Sequence, residues 1–184
     1  MYSDFDRLLI RKHRGCYLKY LALIHQIEVK SIVEIGVFRG KNAVVLRHEF
    51  PDAHLYLIDP WAPSTSYLES GSAVSEKQKI YDDALDRVQS IFEEDPKATV
   101  IKKLAANAAP EVPNNLDLVF IDANHEYHQV KEEILTWKDK VRPGGIISGH
   151  NYGRNRLPGV KKAVDEIFGD DFLLGQDEVW LHIR

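Results

Sequence analysis

Two histidines, an aspartate and two asparagines stand just after two apolar runs of this chain, and together they could take a proton from a bound molecule. The run Leu116-Asp-Leu-Val-Phe-Ile121 is followed by Asp122, Asn124 and His125, and Ile146-Ile-Ser-Gly149 is followed by His150, Asn151 and Tyr152. An imidazole with an ordinary pKa of about 6.5 titrates near working pH, so His125 or His150 could act as a general base. The alternative for His125 is to cap a helix starting near Glu126, a structural role only.

A second group of residues could hold a ligand. Ser31-Ile-Val-Glu-Ile-Gly-Val-Phe-Arg-Gly-Lys-Asn42 is an apolar run with an acid, then two glycines, then a helical pattern. That reads as strand, tight turn and helix start, where an α/β sheet holds a nucleotide-like ligand. A dinucleotide site wants G-x-G-x-x-G, because the second glycine lets the backbone approach a pyrophosphate. Counting from Gly36, that position is Phe38 and the third is Lys41. The spacing disfavours a Rossmann oxidoreductase and favours a phosphate-free ligand with a ribose, of which S-adenosylmethionine is the common one. His54-Leu-Tyr-Leu-Ile-Asp59 ends in an acid at about the usual 20-residue distance for a carboxylate that bonds ribose hydroxyls. Asp59 is therefore the ribose candidate, with Pro60 and Trp61 beside it.

These residues need a sheet to bring them together. Strands are expected at 32–35, 55–59, 98–102, 116–122 and 146–149, alternating with helices near 41–48, 75–91, 126–141 and 159–168. Two short strands, 172–174 and 179–183, flank Gly175-Gln-Asp-Glu178 as a hairpin. Alternation of strand and helix predicts an α/β fold: a doubly wound, mostly parallel seven-stranded sheet with a C-terminal antiparallel hairpin. Ligands then bind beyond the carboxyl ends of the strands. Pro143-Gly-Gly145 reads as a turn. Ser75 reads as the cap of a helix whose apolar face is Ile80, Ala84, Val88 and Ile91. Residues 1–30 form an N-terminal helical segment with a basic side of Arg7, Arg11, Lys12, His13, Arg14 and Lys19. This side reads as a solvated face or, more pointedly, as a rim for an anionic substrate. Residues 60–95 read as an inserted lid loop and helix, the loop ordering over bound ligand. His13, His25, His48, His54, His128 and His182 read as ordinary residues away from the crevice.

The 184 residues make one domain, with 44% hydrophobic and 28% charged residues, as in ordinary globular proteins. A net charge of −4 argues against a nucleic-acid partner. The lone Cys16 suits a reducing cytosol, and no run reaches the roughly 20 apolar residues of a membrane span. The start, Met1-Tyr-Ser-Asp-Phe-Asp6, lacks a signal core, so a cytoplasmic protein is expected. A homodimer is left open.

Glu34-Ile-Gly-Val-Phe-Arg-Gly40 resembles motif I of class I S-adenosylmethionine-dependent methyltransferases, and most of all that of the catechol and caffeoyl-CoA type of small-molecule O-methyltransferases. Leu57-Ile-Asp-Pro-Trp61, Phe120-Ile-Asp-Ala-Asn-His-Glu-Tyr127, Arg142-Pro-Gly-Gly-Ile-Ile-Ser-Gly-His-Asn-Tyr152 and Pro158-Gly-Val-Lys-Lys-Ala-Val-Asp-Glu-Ile-Phe168 agree in order. The resemblance implies methyl transfer to a small-molecule hydroxyl. It implies cofactor contacts from Glu34, Gly36, Phe38, Gly40, Asn42, Asp59, Pro60, Trp61, Ala105 and Asp122, with Asn42 facing the methionine carboxylate and Leu104-Ala-Ala106 near adenine. It implies catalytic roles for Asp122, His125 and His150. In the catechol type, an aspartate after the fourth strand and an Asp-Asn pair after the fifth hold a divalent metal. Here Asp122 and Asn151 match, and His150 replaces the second aspartate. That set would suit Mn²⁺, Fe²⁺ or Zn²⁺ better than Mg²⁺. A histidine base without metal is the rival mechanism. A non-catalytic S-adenosylmethionine-binding or hydroxylase-related protein is the rival function.

Overall fold

The computed structural model describes residues 13–63 and 77–184. In chain order the elements are α1 (Arg14–Ile24), β1 (Ser31–Ile35), α2 (Lys41–Glu49), β2 (His54–Asp59), α3 (Gln78–Phe92), β3 (Ala98–Lys102) and α4 (Ala105–Ala108). After the 3-10 turn Ala109–Glu111 come β4 (Leu116–Ile121), α5 (Tyr127–Lys138), β5 (Val141–Gly149), α6 (Pro158–Phe168), β6 (Leu173–Leu174) and β7 (Trp180–Ile183). The seven strands lie in the order β3-β2-β1-β4-β5-β7-β6, with β7 antiparallel to both β5 and β6.

The sheet is apolar on both faces, as a covered parallel sheet must be. Ile32, Leu55, Leu57, Leu118, Phe120 and Ile146 face α1, α2 and α3. Val33, Ile35, Ile58, Val119, Ile121 and Ile147 face α4, α5 and α6. Glu34, on the first of these faces, is a carboxyl only 2% exposed.

Strand order reverses direction between β1 and β4, and ligand crevices form at that point. Ile35 pairs with Ile58 and Ile121, Ile58 with Ile101, and Ile121 with Gly149. The residues that follow them, Gly36, Asp59, Lys102, Asp122 and His150, consequently form one row across the sheet.

Several local expectations change. β5 runs through Pro143-Gly-Gly145, because a register irregularity between Leu116 and Leu118 absorbs the extra residues, with Gly144 at φ +74°. The buried face of α3 is Tyr81, Ala84, Val88 and Phe92, which leaves Ile91 40% exposed. Ser75 and most of the expected lid, residues 64–76, lie outside the described residues, as do Arg7, Arg11 and Lys12. The short helix α4 was not expected. No helix among the described residues is long and apolar enough to cross a membrane.

Candidate functional site

The glycine turn after β1 is fixed by its neighbours. A Cβ on Gly36 (φ +88°) would stand 2.2 Å from the Asp122 carbonyl oxygen, so only glycine lets β1 and β4 end this close together. Gly40 (φ +72°) opens α2 in the left-handed region. Phe38, also left-handed at φ 47°, turns its ring against Tyr81 of α3.

Beside this turn lies a cavity of about 220 Å³, walled by Ile35, Gly36, Ile58, Pro60, Leu104 and Ala105, with Gln129 and Glu133 from α5. Its volume is below the roughly 300–1,000 Å³ of a whole drug-sized site, and its apolar walls fit the nucleoside part of a ligand. Leu104, 60% exposed on the rim, is an apolar surface that a flat base would cover. Pro63, also on the rim, is the last described residue before 64–76. A larger surface groove of about 620 Å³ over α6 holds Arg154, Lys161 and Glu166. These are already paired with Glu178, Asp165 and Lys131.

Asp59 is tied to the backbone. Its Oδ2 accepts from the Phe38 amide at 2.9 Å and its Oδ1 from the Trp61 amide at 2.7 Å. The Trp61 indole donates to the Phe38 carbonyl at 2.8 Å, closing the loop. Burial raises the Asp59 pKa, and the amides of Phe38, Trp61 and Val37 oppose this. A ribose would have to use the remaining lone pairs of a carboxylate that already clamps two loops.

Asn42 donates its amide to Glu34 Oε1 at 3.2 Å. That leaves Asn42 Oδ1 and Glu34 Oε2 buried without partners among the described residues. Asn42 Oδ1 is an acceptor, and Glu34 Oε2 becomes one when its carboxyl ionises, so the pair suits an ammonium better than the carboxylate expected at Asn42. Burial pushes the Glu34 carboxyl up to about 8, against the Asn42 hydrogen bond and the Arg14 charge.

The acid–base residues do converge. Asp122 Oδ1 lies 3.3 Å from His150 Nδ1, 3.3 Å from Asn151 Nδ2 and 3.8 Å from His125 Nε2. Asn151 sits at φ 64° and brings its Nδ2 to 2.6 Å from His125 Nε2. Since an amide nitrogen only donates, His125 Nε2 accepts, and its buried Nδ1 carries the proton. His150 has the opposite arrangement. Its Nδ1 faces a carboxylate and donates, which leaves Nε2 as a buried lone pair without a hydrogen-bond partner among the described residues. Burial would raise the Asp122 pKa, yet hydrogen bonding within the His125–His150 cluster and the Arg14 charge outweigh it and hold the carboxyl at about 2.

Three contributors escaped the sequence reading. Arg14, expected on a basic outer side, turns inward and places Nη2 3.1 Å from Asp122 Oδ2, with its Nε buried and unpartnered among the described residues. Asp177, in the hairpin turn at φ 56°, lies 3.7 Å from His150 Nε2 and 3.9 Å from Arg14 Nη1. His13, expected away from the crevice, caps α1 by accepting from the Gly15 amide at 3.2 Å, and burial and the Arg14 charge lower its pKa while Asp177 opposes them.

A divalent metal fits this donor set poorly. The outer oxygen of Asp122 faces a guanidinium, and Asn151 turns a donor toward the inner one. No three His, Cys, Asp or Glu side chains among the described residues are grouped to hold an ion. The cluster suits proton transfer, with Arg14 where a counter-cation is needed.

Residues 33–152 match the family model described as a methyltransferase domain. None of the curated proteins matches the sequence. Among solved structures the chain is similar to the O-methyltransferase NovP, at TM-score 0.69 and 18% identity over 95% of this chain and 79% of that one. It is similar to the S-adenosylhomocysteine-bound methyltransferase PaMTH1 of Podospora anserina, at TM-score 0.64 and 17% identity over 98% and 86%. It is also similar to a candidate caffeoyl-CoA O-methyltransferase from Staphylococcus aureus, at TM-score 0.64 and 16% identity over 92% and 82%. At these identities the likeness shows the fold. The family match covers well over half of the chain and contains the glycine turn, the clamp at Asp59 and the Asp122–His150 cluster, so this chain belongs to the methyltransferase-domain family.

Proposed function

We propose that this protein transfers the methyl group of S-adenosylmethionine to a hydroxyl oxygen of a small molecule, with His150 as the base. One observation carries the reading. Most of the buried polar atoms without a partner among the described residues lie in a single region at the strand ends: Arg14 Nε, Glu34 Oε2, Asn42 Oδ1, His125 Nδ1, His150 Nε2 and Asn151 Oδ1. Buried polar atoms are ordinarily satisfied, so such a cluster is supported best by a ligand that satisfies it.

When bound, the cofactor supplies an electrophilic methyl on a sulfonium. The cavity beside Gly36 receives its nucleoside part, and Asn42 Oδ1 together with Glu34, ionised by the arriving cation, accepts from its ammonium. His150 Nε2 takes the hydroxyl proton as the oxygen–methyl bond forms and the sulfur–methyl bond breaks, the electron pair staying on sulfur. Asp122 holds His150 in the required tautomer and stabilises the imidazolium. Asp177 and Arg14 cover Nε2, so the acceptor reaches it when the start of α1 or the hairpin turn moves aside. Positioning and water exclusion supply the remaining acceleration.

Incubation with methyl-labelled S-adenosylmethionine and a panel of small hydroxy compounds tests this. Labelled ether products and stoichiometric S-adenosylhomocysteine support it. Tight cofactor binding with no transfer to any hydroxyl would favour the non-catalytic alternative.

A further inference from the structure

Glu133 sits on α5 behaving unlike a surface glutamate. The residue as a whole is partly exposed, yet its Oε2 is buried and has no hydrogen-bond partner among the described residues. A long charged side chain on a helix normally turns its tip to water. Turning it inward without a partner costs desolvation, and burial beside Glu132 pushes this carboxyl up to about 8. Glu133 and Gln129, one helical turn apart, line the cavity whose other walls are Gly36, Pro60, Leu104 and Ala105. The walls from β1, β2 and α4 are otherwise mostly apolar and can hold a ring without reading its edge.

We propose that Glu133 is a specificity-determining residue that reads the heterocycle of the cofactor, binding a ring edge that carries an exocyclic amine beside a ring nitrogen. This rests on the S-adenosylmethionine reading above and names which residue recognises the base. A protonated carboxyl matches that edge with two hydrogen bonds: its carbonyl oxygen accepts from the amine and its hydroxyl donates to the ring nitrogen. Gln129, exposed at the mouth, is placed to close the same edge from the solvent side. The unpaired carboxyl of the free protein is then the cost of a group held ready for a ligand.

Calorimetry on the full chain tests this with two probes, S-adenosylhomocysteine and its analogue in which hydrogen replaces the adenine amine. The wild type should bind S-adenosylhomocysteine about tenfold more tightly than the analogue, the discrimination expected of about one buried hydrogen bond. Glu133→Leu should bind both probes alike, at the level of the weaker one. Glu133→Gln, which keeps an acceptor and a donor, should restore most of the preference. The free Glu133→Leu protein should also unfold at a higher temperature than wild type, because the unpaired carboxyl is removed. An unchanged preference in Glu133→Leu would overturn the role of Glu133 and leave the cofactor reading standing. Failure of the wild type to bind either probe would overturn both.

Discussion

Arg14 Nη2 stands 3.1 Å from Asp122 Oδ2, and this pair joins the first described helix to the centre of the sheet. Asp122 is thereby kept ionised and aimed at His150, and the start of α1 becomes a wall of the candidate site. Arg14→Met should cost about 1–3 kcal/mol of stability, less than the roughly 3–5 kcal/mol of a fully buried pair, because Arg14 keeps 25% of its side chain exposed. Urea unfolding checks this. An unchanged midpoint would show that the pair contributes nothing.

Acid should remove the same contribution. The Asp122 carboxyl is held at about 2 in the folded protein, against about 3.9 in an unfolded chain. Its stabilisation is complete above the unfolded value and is lost as pH falls from about 5 toward 2. Two other carboxyls act in the opposite sense. Glu34 and Glu133 stay protonated up to about 8 when folded but ionise near 4.3 when unfolded. Stability should therefore fall as pH rises from about 4.5 to about 8, then level off. Urea midpoints at pH 5, 6.5 and 8 should show the slope, and Glu34→Gln should flatten it. A wild-type midpoint independent of pH across that window would contradict the burial of both groups.

The clamp at Asp59 separates two roles that a binding assay alone confuses. Asp59→Ala leaves the Phe38 and Trp61 amides without their acceptor. The free protein should lose about 2–6 kcal/mol, at about 1–3 kcal/mol for each orphaned amide, and cofactor affinity should fall with it. Full stability with reduced affinity would mean that Asp59 serves ribose alone.

The strand ends were legible in the sequence because apolar runs terminated by Asp59, Asp122 and His150 report both the strand and the edge where it stops. The glycine turn was legible because Gly36 and Gly40 both need left-handed backbone. Arg14 and Asp177 were not. Arg14 opens α1 and Asp177 lies in the hairpin turn, where periodicity says nothing about direction, and each meets Asp122 or His150 only through long-range packing. Glu133 was hidden for a related reason: helical spacing gives the face of a residue, not the choice of a long side chain to tuck its tip inward. The bend in β5 at Gly144-Gly145 imitated a turn because a register irregularity and a turn call for the same residues.

The packing of α1 on the hairpin turn has its own signature. A Cβ on Gly175 would stand 1.9 Å from the Tyr17 ring. Gly175→Ala should cost about 1–3 kcal/mol by overpacking, and Tyr17→Ala in the same chain should relieve most of that strain. Additive losses in the double variant would show that the two residues do not meet.

Removal of metal should leave turnover unchanged, since Arg14 rather than an ion faces the outer oxygen of Asp122. Activity assayed in a chelator, then after addition of Mn²⁺ or Mg²⁺, checks this. Activity lost in chelator and restored by Mn²⁺ would return Asp122, His150 and Asn151 to the role of ligands.

The role of His150 is tested most directly by single-turnover transfer of a labelled methyl group from bound S-adenosylmethionine to a hydroxy acceptor, in wild type and in His150→Gln. The wild type should form the labelled ether, and His150→Gln should bind S-adenosylhomocysteine normally while transferring about 10²–10⁴-fold more slowly, the range of a lost general base. Equal transfer rates in the two proteins would contradict His150 as the base.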